Sequence, residues 1–162
     1  MKDIVILGRS FPDPGGRNTF IKDLTDSLKK EFNFKIISFN KSHKNRHNHI
    51  KLNKIFKNKS LELIQYHILS YFKLKKISKN QKIDLIIGTG LSSLGGMIYS
   101  KVHNIPSILN VSGLRGKKTY EFLKYRGIEE NKKLLDFKKI LEYPRLFFHL
   151  LSDRLSIRLA RI

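Results

Sequence analysis

Short apolar runs alternate with amphipathic segments along this chain. The first run, Ile-Val-Ile-Leu at residues 4–7, is typical of a buried strand. A Pro/Gly-rich stretch follows at residues 8–16, and the pattern then changes to a helical spacing, carried by Phe20, Ile21, Leu24 and Leu28. The opening therefore predicts a strand, a loop and a helix over about residues 17–32, with Asn18 or Thr19 as the cap of that helix.

The same alternation continues to the end of the chain. Further strands are predicted at residues 34–39, 83–87 and 107–111, and helices at about 60–79, 92–103, 119–143 and 144–162. The apolar face of the 60–79 helix is assigned to Leu61, Ile64, Ile68, Leu69 and Phe72. Alternating strands and helices favour an α/β, Rossmann-like fold: a parallel sheet of about four strands, flanked by helices and joined by right-handed crossovers.

One long stretch, residues 40–58, is rich in Lys, Asn and His and is interpreted as a polar, mobile loop. Its histidines, His43, His47 and His49, have no carboxylate or thiolate nearby at ligand spacing. We therefore predict no metal site.

The charge balance is strongly basic, with 33 Lys and Arg against 13 Asp and Glu, for a net charge of +20 over 162 residues. Such a charge suits nucleic acid, anionic lipid headgroups or phosphorylated ligands, although lysines scattered along the whole chain also fit compositional drift. The absence of cysteine excludes disulfides and thiolate metal sites. With no apolar run near the roughly 20 residues of a membrane span and no signal-peptide cleavage site, we expect a cytoplasmic protein.

Glycine-containing loops follow three of the predicted strands and should meet at one edge of the sheet. Glycine lets backbone N–H groups approach an anion, and the arginine fork suits phosphate. The residues expected in this cleft are Arg9, Gly15, Gly16, Arg17, Gly88, Gly90, Gly113 and Arg115.

Known phosphate-binding fingerprints are incomplete in these loops. Ser93 stands where the third glycine of the dinucleotide motif would be, and Gly15-Gly16 lacks the lysine of a P-loop. Asp13, between two prolines, is interpreted as a turn former. No Ser-His-Asp arrangement is visible.

Three segments in order carry a resemblance to a known family. Phe11-Pro12-Asp13-Pro14-Gly15-Gly16 before an amphipathic helix resembles the opening of family 4 glycosyltransferases, which have the two-Rossmann-domain GT-B architecture. The strand beginning at Asp84 and the segment at residues 104–113 resemble further motifs of the same family. The resemblance covers essentially the whole chain, residues 1–162, as one domain, but only the N-terminal domain of the family.

The resemblance implies the acceptor-binding half of a nucleotide-sugar-dependent glycosyltransferase. It places Gly15 and Gly16 near the phosphates of the donor, and it puts Ser112 where the family has a histidine, so the catalytic residue stays unassigned. No cofactor is implied, since the nucleotide sugar is a substrate, and the acceptor would be a glycan or a lipid-linked glycan. Because the second domain with its two donor-binding glutamates does not appear, we expect little transferase activity unless another chain supplies a second Rossmann domain.

Two alternatives stay open on the sequence. One is a basic, non-enzymatic binding module, and the other is a truncated remnant of the enzyme. For such a module, the residues argue against nucleic acid, since no recognised motif appears and the aromatics do not interleave with basic residues. The last helix pairs a leucine row with Arg154, Arg158 and Arg161, which could place the protein at the periphery of an anionic membrane, or the leucines could pack in the fold and the arginines be solvated.

Overall fold

The computed structural model describes residues 1–13, 16–40, 48–110 and 155. Within them lie five strands: β1 (Lys2–Leu7), β2 (Phe32–Ser38), β3 (Asn48–Lys51), β4 (Leu85–Thr89) and β5 (Ser107–Asn110). The helices are α1 (Gly16–Leu28), α2 (Lys59–Asn80) and α3 (Leu94–Val102), and a 3-10 turn (Gly90–Ser93) precedes α3. The helix predicted at 119–143 falls outside the described residues, as does the one predicted at 144–162 apart from Leu155, which is helical.

All pairings in the sheet are parallel, and the strand order is β3-β2-β1-β4-β5. The predicted α/β, Rossmann-like fold is confirmed, with five strands in place of about four. The chain first builds the sheet outward from β1 through β2 to β3, and then returns to add β4 and β5 on the other side of β1. The direction of winding therefore switches between β1 and β4.

The additional strand is β3, which lies inside the segment predicted as a polar loop. The loop prediction is wrong for residues 48–51, while residues 41–47 lie outside the described part of the chain. Among the described strands, β3 lies at the edge of the sheet and pairs only with β2, through matches such as Ile37 with Ile50. An edge strand needs no continuous apolar run, and only its two central residues are partly buried.

Helices cover both faces of the sheet because neighbouring side chains of a strand point to opposite sides. Ile4 and Ile6 of β1 belong to one buried cluster, which α1 covers with Ile21. Val5 and Leu7 belong to the other cluster, which α2 and α3 cover. Helix α1 is thus separated from α2 and α3 by the sheet.

The buried face of α2 agrees with the predicted one at Leu69, which packs partly buried against the core, but differs from it elsewhere. Leu61, Ile68 and Phe72 are 46, 52 and 59% exposed. The helix instead turns another row of residues inward: Leu63, Tyr66, Ser70, Leu74 and Ile77. Both rows recur at helical spacing, so periodicity alone could not select between them.

Helix α3 packs tightly through its glycine pair, Gly95 and Gly96. A Cβ atom on Gly95 would lie 2.1 Å from the backbone oxygen of His67 in α2. A Cβ atom on Gly96 would lie 2.0 Å from Cδ1 of Leu7 in β1. The C-cap of the helix is His103, whose N–H donates to the carbonyl of Tyr99 at 3.0 Å.

Candidate functional site

The carboxyl ends of the parallel strands form one edge of the sheet, and the winding switch between β1 and β4 opens there. Leu7 pairs with Gly88, so the segments that follow β1 and β4 begin side by side. Open α/β sheets bind ligands in the crevice outside such a switch point. This crevice is the candidate site.

The loop after β1 is a compact double turn. The N–H of Phe11 donates to the carbonyl of Gly8 at 2.9 Å, and the N–H of Asp13 donates to that of Ser10 at 2.8 Å. Asn18 holds the loop from α1, since its Nδ2 donates to the carbonyls of Ser10 and Asp13 at 3.2 and 2.5 Å. Asn18 is therefore not the predicted cap, because α1 already begins at Gly16 and Asn18 anchors the loop instead.

A row of hydrogen bonds links this loop to β2 and β3. Nδ2 of Asn40 donates to Oδ2 of Asp13 at 2.7 Å, and Oγ of Ser38 donates to the carbonyl of Asn40 at 2.7 Å. Nε2 of His49 lies 2.6 Å from the same Ser38 oxygen. A hydroxyl has one proton, so the imidazole donates this last bond. We call this row, Asp13-Asn40-Ser38-His49, the polar relay.

Sequence reasoning missed the polar relay. Asp13 closes a turn as predicted, but its carboxylate also accepts a hydrogen bond. His49 was considered only as a metal ligand in a loop, whereas β3 places it against Ser38 and edge-on to the Phe11 ring, 5.9 Å between centroids. The signal that could have found it was the pairing of β3 with β2, which a four-residue edge strand hardly reveals.

Arg9, predicted to bind an anion, points towards the first turn of α2. Its Nη1 lies 3.7 Å from Oε1 of Glu62, and Nζ of Lys54 lies 2.6 Å from the other carboxylate oxygen. The Arg9 side chain is 23% exposed. Two cations thus share one carboxylate beside the loop after β1.

Two aromatic side chains of α2 lie behind the loop. The buried hydroxyl of Tyr66 donates to the carbonyl of Ile37 at 2.5 Å, and burial raises its pKa well above the usual value. Burial, aided by the positive charge of Arg9, lowers the pKa of His67 to about 4. His67 is therefore neutral at neutral pH.

The lowered pKa of His67 predicts that the stability of the protein depends on pH. Below its usual pKa of 6.5, the His67 ring takes up a proton in the unfolded chain but not in the folded one, so stability falls towards pH 4. Between pH 7 and 4.5, the free energy of unfolding should fall by about 2–3 kcal/mol less in His67→Gln than in the parent protein. Urea unfolding at both pH values measures this.

The control is His103→Gln, the same change at an exposed histidine. Equal losses between pH 7 and 4.5 in the parent and in His67→Gln would contradict the assignment.

The glycines at this edge have different roles. A Cβ on Gly88 would lie 2.4 Å from Cβ of Ser93, so this glycine serves packing. Gly90 has a φ of 66°, which favours glycine, and it starts the 3-10 turn before α3. Gly16 is the exposed first residue of α1, with nothing within 4 Å of a Cβ. Among the described residues, none therefore closes off Gly16 at the N-terminus of α1, and the first turn of the helix holds no acidic residue.

The remaining predicted site residues are not described. Gly15, Ser112, Gly113 and Arg115 fall outside the described ranges, and Arg17 lies in α1 without a described side chain. Within the described ranges, no three His, Cys, Asp or Glu side chains are grouped so that they could hold a metal ion. None of the described helices is long and apolar enough to cross a membrane.

No protein-family model matches this sequence, and no curated protein matches it. Solved structures do match. Sucrose-phosphate synthase from Thermosynechococcus elongatus has a TM-score of 0.62 and 13% identity over 96% of this chain. A UGT transferase from Siraitia grosvenorii, solved in complex with UDP, has a TM-score of 0.54 and 11% identity over 86% of this chain. Apo UGT2 from Phytolacca americana has a TM-score of 0.54 and 13% identity over 82% of this chain.

These neighbours are glycosyltransferases with the GT-B architecture, and at 11–13% identity the likeness concerns the fold. The chain spans 40% of the synthase and 32% and 34% of the two UGT chains. Its Rossmann-like sheet therefore corresponds to part of such an enzyme.

Proposed function

We propose that this chain is the acceptor-side half of a nucleotide-sugar-dependent glycosyltransferase. The observation that carries the proposal is the open N-terminus of α1 at the switch between β1 and β4. The N–H groups and the dipole at a helix N-terminus favour a phosphate. The shared fold with sucrose-phosphate synthase and the UGT enzymes supports a sugar transferase over other Rossmann-like functions.

In this proposal the N-terminus of α1 faces the diphosphate of the donor. Gly16 leaves room for it, and Gly15 and Arg17 are the neighbours of Gly16 in the sequence. The likeness to a structure solved with UDP favours a uridine diphosphate sugar as the donor to test first.

The polar relay supplies the acceptor side. The exposed Asp13 carboxylate, fixed by the amide of Asn40, can accept a hydrogen bond from a sugar hydroxyl. Hydrogen bonds among Asn40, Ser38 and His49 hold it in place. The relay would orient the hydroxyl that attacks the donor sugar, while the leaving diphosphate sits at α1.

The finer assignments are proposals as well. Membership of glycosyltransferase family 4 rests on the sequence resemblance, as does the position of Ser112 at the family's histidine. A serine hydroxyl does not gain a proton near neutral pH, so it would not supply the charge of an imidazolium. Since the donor lies between two domains in that architecture, turnover requires a second Rossmann-like domain.

The direct test measures the binding of UDP to the full chain by NMR chemical-shift changes or by calorimetry. We expect a weak affinity, with Kd on the order of 1 mM, because one wall of the cleft is present. Gly16→Glu should weaken it about tenfold, since a carboxylate at the helix N-terminus repels the diphosphate. Gly16→Gln, of the same size but uncharged, is the matched control.

Each outcome has a consequence. If Gly16→Glu and Gly16→Gln bound UDP equally well, the proposal that its phosphate lies at the N-terminus of α1 would be contradicted. Absence of UDP binding, with retention of nucleic acid that weakens with salt, would favour the basic binding module. Efficient sugar transfer by this chain alone would contradict the assignment as a half-enzyme, whereas transfer after co-expression with a donor-binding domain would support it.

A further inference from the structure

Exposed apolar side chains are concentrated on the outer face of α2 and in the loop before it. Ile55 and Phe56 of the loop are 74 and 44% exposed. Leu61, Ile68 and Phe72 of α2 are 46, 52 and 59% exposed. Scattered exposed apolar residues are common, but five on one helix and its leading loop are an apolar surface.

A glutamine clamp holds the loop against this face of the helix. Oε1 of Gln65 accepts hydrogen bonds from the N–H groups of Ile55 and Phe56 at 3.1 and 3.3 Å. Nε2 of Gln65 donates to the carbonyl of Asn53 at 2.9 Å. Since Gln65 lies one turn from both Leu61 and Ile68, the clamp places the loop beside the apolar row. The two exposed side chains of the loop are therefore presented by an ordered backbone.

The surroundings of this surface are basic. Residues 48–82 contain one carboxylate, Glu62, which is paired with Arg9 and Lys54. The same stretch contains nine lysines: Lys51, Lys54, Lys57, Lys59, Lys73, Lys75, Lys76, Lys79 and Lys82. Of these, Lys75, Lys76 and Lys79 are exposed and continue the apolar row along α2 at spacings of three, four and seven residues from Phe72.

We propose that this surface docks on a lipid bilayer that contains anionic headgroups. We define the bilayer surface as Ile55, Phe56, Leu61, Ile68 and Phe72 together with Lys75, Lys76 and Lys79. The apolar side chains enter the boundary between headgroups and acyl chains, while the lysines stay at the level of the anionic headgroups. The proposal does not depend on the transferase assignment, and it concerns a different element from the C-terminal arginine row.

Charge complementarity selects this partner over others. A second copy of the chain would bring lysines against lysines without carboxylates to pair with them, which opposes association. Nucleic acid would pair with the lysines but would leave the aliphatic side chains in water, because backbone binding needs cations and not isoleucine. A bilayer with anionic lipids satisfies both parts of the surface.

The experiment is flotation of the full chain with vesicles of phosphatidylcholine alone or mixed with phosphatidylglycerol. We expect retention on the mixed vesicles and little on the neutral ones. Lys75→Glu/Lys76→Glu should weaken retention at least about tenfold, because two cations near the headgroups are reversed. The matched control, Lys29→Glu/Lys30→Glu, lowers the net charge equally, by four, and these exposed lysines follow α1 on the other face of the sheet.

A second pair of variants tests the apolar part. Ile68→Ser should weaken retention about fivefold, because this side chain enters the bilayer. Ile108→Ser in β5 is the matched control: it is 53% exposed, against 52% for Ile68, and its neighbour Leu109 packs on the α2 side, so Ile108 faces away. Circular dichroism confirms that all variants fold.

Three results would overturn the proposal. The first is no retention on mixed vesicles. The second is equal weakening by the control variants, which would show that diffuse charge is responsible. The third is a dimer, detected by light scattering, that Ile68→Ser dissociates, which would make the surface a contact between copies.

Discussion

Leu74→Ala is expected to lower the free energy of unfolding by about 2–5 kcal/mol, the usual range for removing a buried leucine side chain. Leu74 is fully buried in the cluster between α2 and the sheet, so its removal leaves a cavity that close-packed neighbours fill only in part. For a chain of this size each kcal/mol corresponds to about 2–4 °C in Tm. Urea and thermal unfolding measure both quantities.

The control is Leu61→Ala, the same substitution on the same helix at a position 46% exposed. It should cost less than about 1 kcal/mol, since much of that side chain is already in water. The pair also tests the orientation of α2. If Leu61→Ala proved the more damaging change, the helix would present its other apolar row to the sheet, and the bilayer surface would be lost with it.

Gly95→Ala is expected to destabilise the protein by about 1–3 kcal/mol, although alanine is the better helix former by about 1 kcal/mol. The added methyl would lie 2.1 Å from the backbone oxygen of His67 and 2.7 Å from Oγ of Ser70. A backbone atom inside a helix cannot move alone, so α2 and α3 must separate. Thermal unfolding of the variant measures the cost.

Two further glycines calibrate this measurement. Gly96→Ala should cost less, because the close atom there is the flexible end of the Leu7 side chain. Gly16→Ala should be neutral or slightly stabilising, since nothing lies within 4 Å of its Cβ. Equal effects at Gly95 and Gly16 would contradict the tight α2–α3 packing.

Parts of the candidate site could be predicted from the ends of the strands. The loop after β1 and the turn after β4 lie at the expected edge, because parallel strands end on the same side of a sheet. The partners of their residues could not be predicted. Arg9 pairs with Glu62 and Asp13 with Asn40, contacts across 53 and 27 positions that leave no local pattern in the sequence.

For the glycines too, the position in the sequence could be predicted to matter, but the reason for it could not. Gly88 and Gly90 were predicted as an anion cradle because both follow a strand. In the fold, Gly88 is required by the close approach of Ser93, and Gly90 by its positive φ. The neighbours of a glycine in space and its backbone conformation, which the sequence does not show, decide whether the protein itself requires glycine at that position.

The sequence by itself determined the alternation of buried strands and helices, and hence the α/β class, because central parallel strands must be continuously apolar and crossover helices must be amphipathic. The tertiary structure decided which of two apolar rows of α2 faces the core, where the edge strand β3 pairs, and which side chains meet in the polar relay. These features depend on contacts between distant segments, and periodicity along the chain does not encode them. Helix α2 packs against Gly95 through His67 and Ser70 and buries Tyr66 and Leu74, while Ile68 and Phe72 stay exposed.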